Sequence, residues 1–219
     1  MVFNVRFNRV DSVKQLKKKL KPVLEPSTVY MCIGTDHVVK DSLGPRVGTL
    51  LSQYSDKLIV YGVQGDNING GNVQKAYRAI KCLYPRSTVV VIDAAVGSQR
   101  QVGNIQLLDD GIKPGEALDK ELGQMGDYSI LGIVAKDKDD LYDDGNDYDL
   151  DDLFEEFDND TYGVKDRNKV LNGDSVQYVS AMACTIARAI LEATGLMRRS
   201  RPLKCKVAVF NALTMSHLA

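Results

Sequence analysis

The stretch TVVVIDAAV, residues 88–96, constrains the fold more than any other part of the chain. Thr88, Val89, Val90, Val91 and Ile92 are five β-branched residues in a row, and the sixth is Asp93. A strand that is apolar at every position cannot turn either face to water. The run therefore predicts a central strand of a parallel sheet with helices on both faces. Further apolar runs at STVYMCI (27–33), KLIVYGV (57–63), NIQLL (104–108) and SILGIVA (129–135) supply partner strands. Helical spacing appears between them. Asp11 stands as N-cap to VKQLKKKLKPVL (13–24), which carries Val13, Leu16, Leu20 and Val23 on one face and its lysines on a solvated one. Residues 42–54 read as a helix with Pro45 tolerated in the first turn, and Asn72 caps VQKAYRAIKCLY (73–84), stopped by Pro85. A long helix over 174–196 lines up Val176, Val179, Met182, Ala183, Ile186, Ile190 and Leu191, and VAVF (207–210) reads as a last strand. Strands alternating with helices predict a doubly wound α/β sheet, in one domain spanning residues 1–219.

Length and composition fit that reading. A chain of 219 residues, 44% hydrophobic, can bury a sizeable core. It has no run of 18 apolar residues, and its N-terminus, MVFNVRFNRV, lacks the basic-then-apolar order of a secretory leader. No membrane partner is expected. Cys32, Cys82, Cys184 and Cys205 are far apart with no C-x-x-C pair, so reduced thiols in a cytosolic protein are expected rather than a zinc site or a disulfide framework.

The formal net charge of −1 hides a division. Residues 137–160, DKDDLYDDGNDYDLDDLFEEFDND, hold 13 acids against one lysine, a net of −12; the 27 bases and 16 acids elsewhere give +11. So much like charge repels itself and buries little apolar surface, which predicts an exposed, mobile insertion that folds back transiently on basic surface. Its DDGND does not make a calcium loop. With Gly145 in the sixth place, Tyr142 occupies the third and Asp151 the twelfth, where ligands and a bidentate glutamate belong. The basic body alone does not predict a nucleic-acid partner, because no aromatic residues interleave a basic stripe.

The chemistry concentrates after two strands. In open α/β sheets ligands bind beyond the carboxyl ends of the strands. CIGTDHVVKDSLGP, residues 32–45, displays Asp36, His37, Lys40 and Asp41 behind an apolar run, with Gly34 and Gly44 allowing close turns. If the strands before Asp41 and Asp93 are neighbours, both carboxylates reach one crevice. Burial raises a carboxylate's pKa, and a second carboxylate raises it further. Such a pair can activate water and protonate a leaving amine. Other uses of these residues stay open from sequence: Asp93 bonding its own turn, Asp41 as an N-cap, Asp36 in an Asx turn. Clustered Asp36, Asp41 and Asp93 would also suit a hard cation. The phosphate-binding G-x-x-x-x-G-K-[ST] pattern and the G-x-S-x-G elbow are both missing from the sequence.

IGTDHVVKDSLGPRVGTLL, VVVIDAAVGS and KPGEALDKELGQMGDYSILGIV together resemble the sporulation protein YyaC family, over roughly residues 29–135 and again near 174–195. That family is similar in turn to the spore germination protease and the hydrogenase maturation endopeptidases. The resemblance implies a three-layer α/β/α sandwich, mostly parallel and phosphorylase/hydrolase-like. It places the relatives' two acidic functional residues on Asp41 and Asp93. It implies an aspartic-type peptidase of the sporulating cell, cytoplasmic, acting on a protein or peptide without a cofactor. Beside the pair, Lys40 or Ser98 is expected to orient the substrate. The maturation enzymes hold a metal with an additional histidine; neither His37 nor His217 falls at the matching strand, so that metal site does not carry over. A non-catalytic regulatory module on the same fold is the rival expectation. Oligomeric state is not legible.

Overall fold

A computed structural model describes residues 2–113, 123–136 and 176–197. The elements run β1 (Val2–Arg6), α1 (Ser12–Leu20), β2 (Val29–Cys32), a 3₁₀ turn (Val39–Asp41), α2 (Leu43–Tyr54), β3 (Ile59–Tyr61) and α3 (Val73–Leu83). Then come β4 (Val89–Gly97), a second 3₁₀ turn (Gln99–Gln101), β5 (Asn104–Leu108), β6 (Tyr128–Lys136) and α4 (Val176–Ala193). They build one six-stranded sheet in the order β1-β5-β6-β4-β2-β3. β6, β4, β2 and β3 are parallel; β5 and β1 close one edge antiparallel. The expected α/β/α sandwich is the fold observed.

The two faces follow from the period-two alternation of strand side chains. Tyr30, Cys32, Val90 and Ile92 point to one side, where Leu16 and Leu20 of α1, Val47 and Leu51 of α2, and Val179, Met182, Ile186 and Ile190 of α4 cover them. Val29, Met31, Val89 and Val91 point to the other and meet Val73 and Ile80 of α3. That is why the TVVVI run is apolar throughout: Val89 to Ile92 are all fully buried.

Several expectations shift. The N-terminal stretch, assigned no structure from sequence, forms β1 beside β5, with Val5 opposite Ile105. Asp11 precedes α1 without capping it through its side chain, and its carboxylate accepts from Gln15 Nε2 instead. Not every α1 lysine is on a solvated face, since Lys17 Nζ lies 3.3 Å from the buried carboxylate of Glu192 on α4. Asn72 turns its side chain to the Asn69 amide rather than to α3. Cys32 and Cys82 are free, but Cys184 is disulfide-bonded, so the expectation of four reduced thiols fails at α4. The acidic stretch 137–160, its fold-back on basic surface, the DDGND sequence and the strand at 207–210 lie outside the described residues. No helix among the described residues is long and apolar enough to cross a membrane.

Candidate functional site

β2 and β4 are neighbours, in register from Val29–Val89 to Cys32–Ile92. Beyond that point the chain leaves them in opposite directions. β2 runs into the 3₁₀ turn and α2, while β4 continues towards β5 on the far side of the sheet. The divergence opens a crevice at the carboxyl ends of the two strands.

Asp41 is held at the crevice by the loop before it. The Thr35 amide donates to both Asp41 Oδ2 (2.9 Å) and the Asp41 carbonyl (3.1 Å), folding residues 35–41 back on themselves. Gly34 makes this closure possible. It adopts φ 132°, and a Cβ there would stand 2.0 Å from the Asp41 carbonyl oxygen. Asp41 is therefore not the side-chain cap of α2. Ser42 precedes that helix, also without a capping bond, and donates to the Val39 carbonyl. Burial raises the Asp41 pKa, and the Thr35 amide offsets part of the effect.

Asp93 arrives from β4. In a parallel ladder the N–H and C=O of one residue face the same neighbouring strand, and successive residues alternate. The Ile92 carbonyl accepts from the Ile33 amide at 2.8 Å, so Ile92 faces β2 and Ala94 must face that side too. The Ala94 amide donates to Asp93 Oδ1 at 2.8 Å. This bond draws the carboxylate to the β2 side, over the end of that strand. Asp93 thus makes the local bond that was one of its open readings, and it does so inside the crevice. Its pKa is pushed up to about 8, chiefly by burial; the Ala94 amide pulls it down and the charge of Asp41 pushes it up. On the neighbouring strand, burial and then the charge of Asp93 raise the pKa of the buried Cys32 thiol.

The remaining sequence-derived residues disperse. Asp36 accepts from the Gly65 amide (2.9 Å) and Asn67 Nδ2 (2.7 Å), and these bonds, Asn67 first, lower its pKa. It pins the β2 loop to residues 65–67 instead of facing the other two aspartates. Among the described residues no group of three or more His, Cys, Asp or Glu is placed to hold a metal, and Asp36, Asp41 and Asp93 do not form one. His37 is 89% exposed, 3.8 Å from Asp36. Lys40 is exposed on the 3₁₀ turn. Ser98 forms a capping box with Gln101: its amide and its hydroxyl both donate to Gln101 Oε1, at 3.0 and 3.2 Å.

Sequence reasoning passed over Arg46. It lies in the opening of α2, half-buried, with Nε on Ser42 Oγ (2.9 Å) and Nη1 on Ser180 Oγ of α4 (3.0 Å), and it senses the charge of Asp36. A signal was present. A cation near a helix N-terminus sits against the macrodipole, and a position so disfavoured needs a compensating role. Arg46 ties α4 to the wall of the crevice.

Residues 5–145 match a family described as a protein of unknown function, DUF1256. Over 120 residues the chain is 36% identical to a Bacillus subtilis (strain 168) protein described as "Uncharacterized protein YyaC"; the match takes in 54% of this chain and 58% of that protein. The chain thus spans rather more than half the length of the curated relative it matches.

Proposed function

Starting from a chain that belongs to the DUF1256 family, we propose that it is a hydrolase that cleaves peptide bonds with the aspartate pair Asp41 and Asp93. The observation that carries the reading is Asp93: a carboxyl group pushed up to about 8, set in a crevice within reach of the charge of a second carboxylate. Asp93 keeps its proton at neutral pH, and Asp41 is the ionised partner. Asp41 takes a proton from water as that water attacks the scissile carbonyl, and Asp93 gives its proton to the departing amine. Asp41 then holds the proton taken from water, Asp93 lacks the one given to the amine, and exchange with solvent restores both. The sporulation setting and the cytoplasmic location rest on the resemblance to the sporulation proteins set out above.

The pH profile tests this. Asp93 must be protonated, so kcat/KM should fall as pH rises through about 8. Asp41 must be ionised, so the acid limb should lie above the ordinary aspartate value of 3.8. If the two act as one unit, the Asp41→Asn/Asp93→Asn double variant should lose little more than either single variant. A flat profile between pH 5 and 9, or multiplicative losses, would remove the pair from the mechanism. No hydrolysis of any unfolded polypeptide would leave the non-catalytic module.

A further inference from the structure

We infer that the edge of β4 beyond the end of β2 is a docking strand for an extended polypeptide segment, which pairs with Ala94 and Val96 through its main chain and runs parallel to β4 past Asp93. The inference rests on the peptide-directed reading above and names how such a substrate is held.

β4 outruns β2. On one side it stays paired with β6 through Gly97, opposite Lys136. On the other, its ladder with β2 stops at Ile92, and the last bond there is from the Ile33 amide to the Ile92 carbonyl. The register with β6 shifts between Ala95 and Val96, but the extra residue, Val134, is on β6 and none is added on β4. By the same alternation, the backbone groups of Ala94 and Val96 face the vacated side, where no strand follows among the described residues. The Ala94 amide is already taken by Asp93 Oδ1. What is left is an ordered pair, the Ala94 carbonyl and the Val96 amide, two residues apart on one edge. One residue of a parallel segment, lying opposite Ala95, satisfies both: its N–H donates to Ala94 and its C=O accepts from Val96. The segment would prolong the line of β2, as in strand-addition complexes.

The surroundings suit an extended chain. Val96 and Val38 are large apolar side chains left 55% and 53% exposed, one on the docking strand and one on the loop that carries Asp41. Exposed edges in native proteins are usually blunted by charge or proline; here the residues from Ala94 to Val96 are uncharged. The only acid on this part of the strand is Asp93, whose carboxylate caps the one amide the segment does not need. A peptide bond next to the residue opposite Ala95 would then lie beside the aspartates.

The test uses the full chain carrying Asp93→Asn, which keeps an acceptor for the Ala94 amide and removes turnover. Binding of a fluorescein-labelled octapeptide of alternating valine and serine is followed by polarisation. Its N-methylated analogue, which cannot donate to the Ala94 carbonyl, is compared with it. So is the Val96→Pro variant, which loses the edge amide but no bond to β6. Each loss should weaken binding about tenfold or more. Equal affinity for the N-methylated peptide, or no binding of the parent peptide, overturns the docking strand; the peptide comparison decides even if Val96→Pro fails to fold. Turnover by the chain with Asp93 intact is measured separately. Hydrolysis without edge pairing would sink this inference alone, and pairing without hydrolysis would sink only the catalytic reading.

Discussion

Asp93→Asn is expected to abolish hydrolysis and, at alkaline pH, to make the protein more stable than the wild type. The first effect follows from removing a positioned acid, worth roughly 10²–10⁴ in rate. The second is a linkage effect. The Asp93 pKa rises from 3.8 in an unfolded chain to about 8 in the folded one. Between those values the folded state holds a proton that the unfolded state has released, so raising the pH favours unfolding. The penalty is absent below about pH 4, grows across the window and is complete above about pH 8, where it reaches a few kcal/mol. Asparagine is neutral throughout and can still accept from the Ala94 amide. Urea unfolding at pH 5 and pH 9 should show the variant close to wild type at the first and clearly more stable at the second. A wild-type stability that does not fall across that range would show that Asp93 ionises freely.

Gly44→Ala is expected to cost both stability and the site. Gly44 opens α2 against the ends of two strands, and a Cβ there would stand 2.1 Å from the Ile33 carbonyl oxygen and 2.8 Å from that of Ile92. All the near atoms are backbone, so no rotamer change relieves the clash, and the helix must lift from the sheet. Overpacking of this kind costs about 3 kcal/mol. The displacement falls where Asp41 enters α2, so activity should drop in the fraction that remains folded. Thermal unfolding and a rate per folded molecule separate the two effects. An alanine variant with unchanged melting and unchanged rate would mean that α2 does not set the crevice.

Much of this was legible because the strongest signals were local. A β-branched run buried on both faces names its own place in a sheet, and NIQLL was bounded correctly at 104–108 because its apolar alternation is clean. The placement of Asp41 and Asp93 needed only one long-range fact, that β2 and β4 are neighbours, and β4 could be foreseen as central from its composition. What failed depended on partners far away in sequence. β1 is half polar and becomes a strand only by pairing with β5, about a hundred residues on. Lys17 looked solvated because Glu192 is 175 positions distant. Asp36 seemed a third acid for the crevice until Gly65 and Asn67 claimed its oxygens. Arg46 went unread because its value lies in Ser180, on a helix 134 positions away.

The buried thiol of β2 carries a practical consequence. Cys32 is fully buried between β2 and α2, close to Gly48, whereas Cys82 is exposed on α3. An alkylating reagent should label Cys82 at the rate of an open thiol and reach Cys32 only while α2 transiently lifts from the sheet. The ratio of the two rates, taken when reclosing outpaces labelling, is then an equilibrium constant for local opening. The molecule carries its own clock and its own calibration, and a segment seated along β4 should slow the first without touching the second.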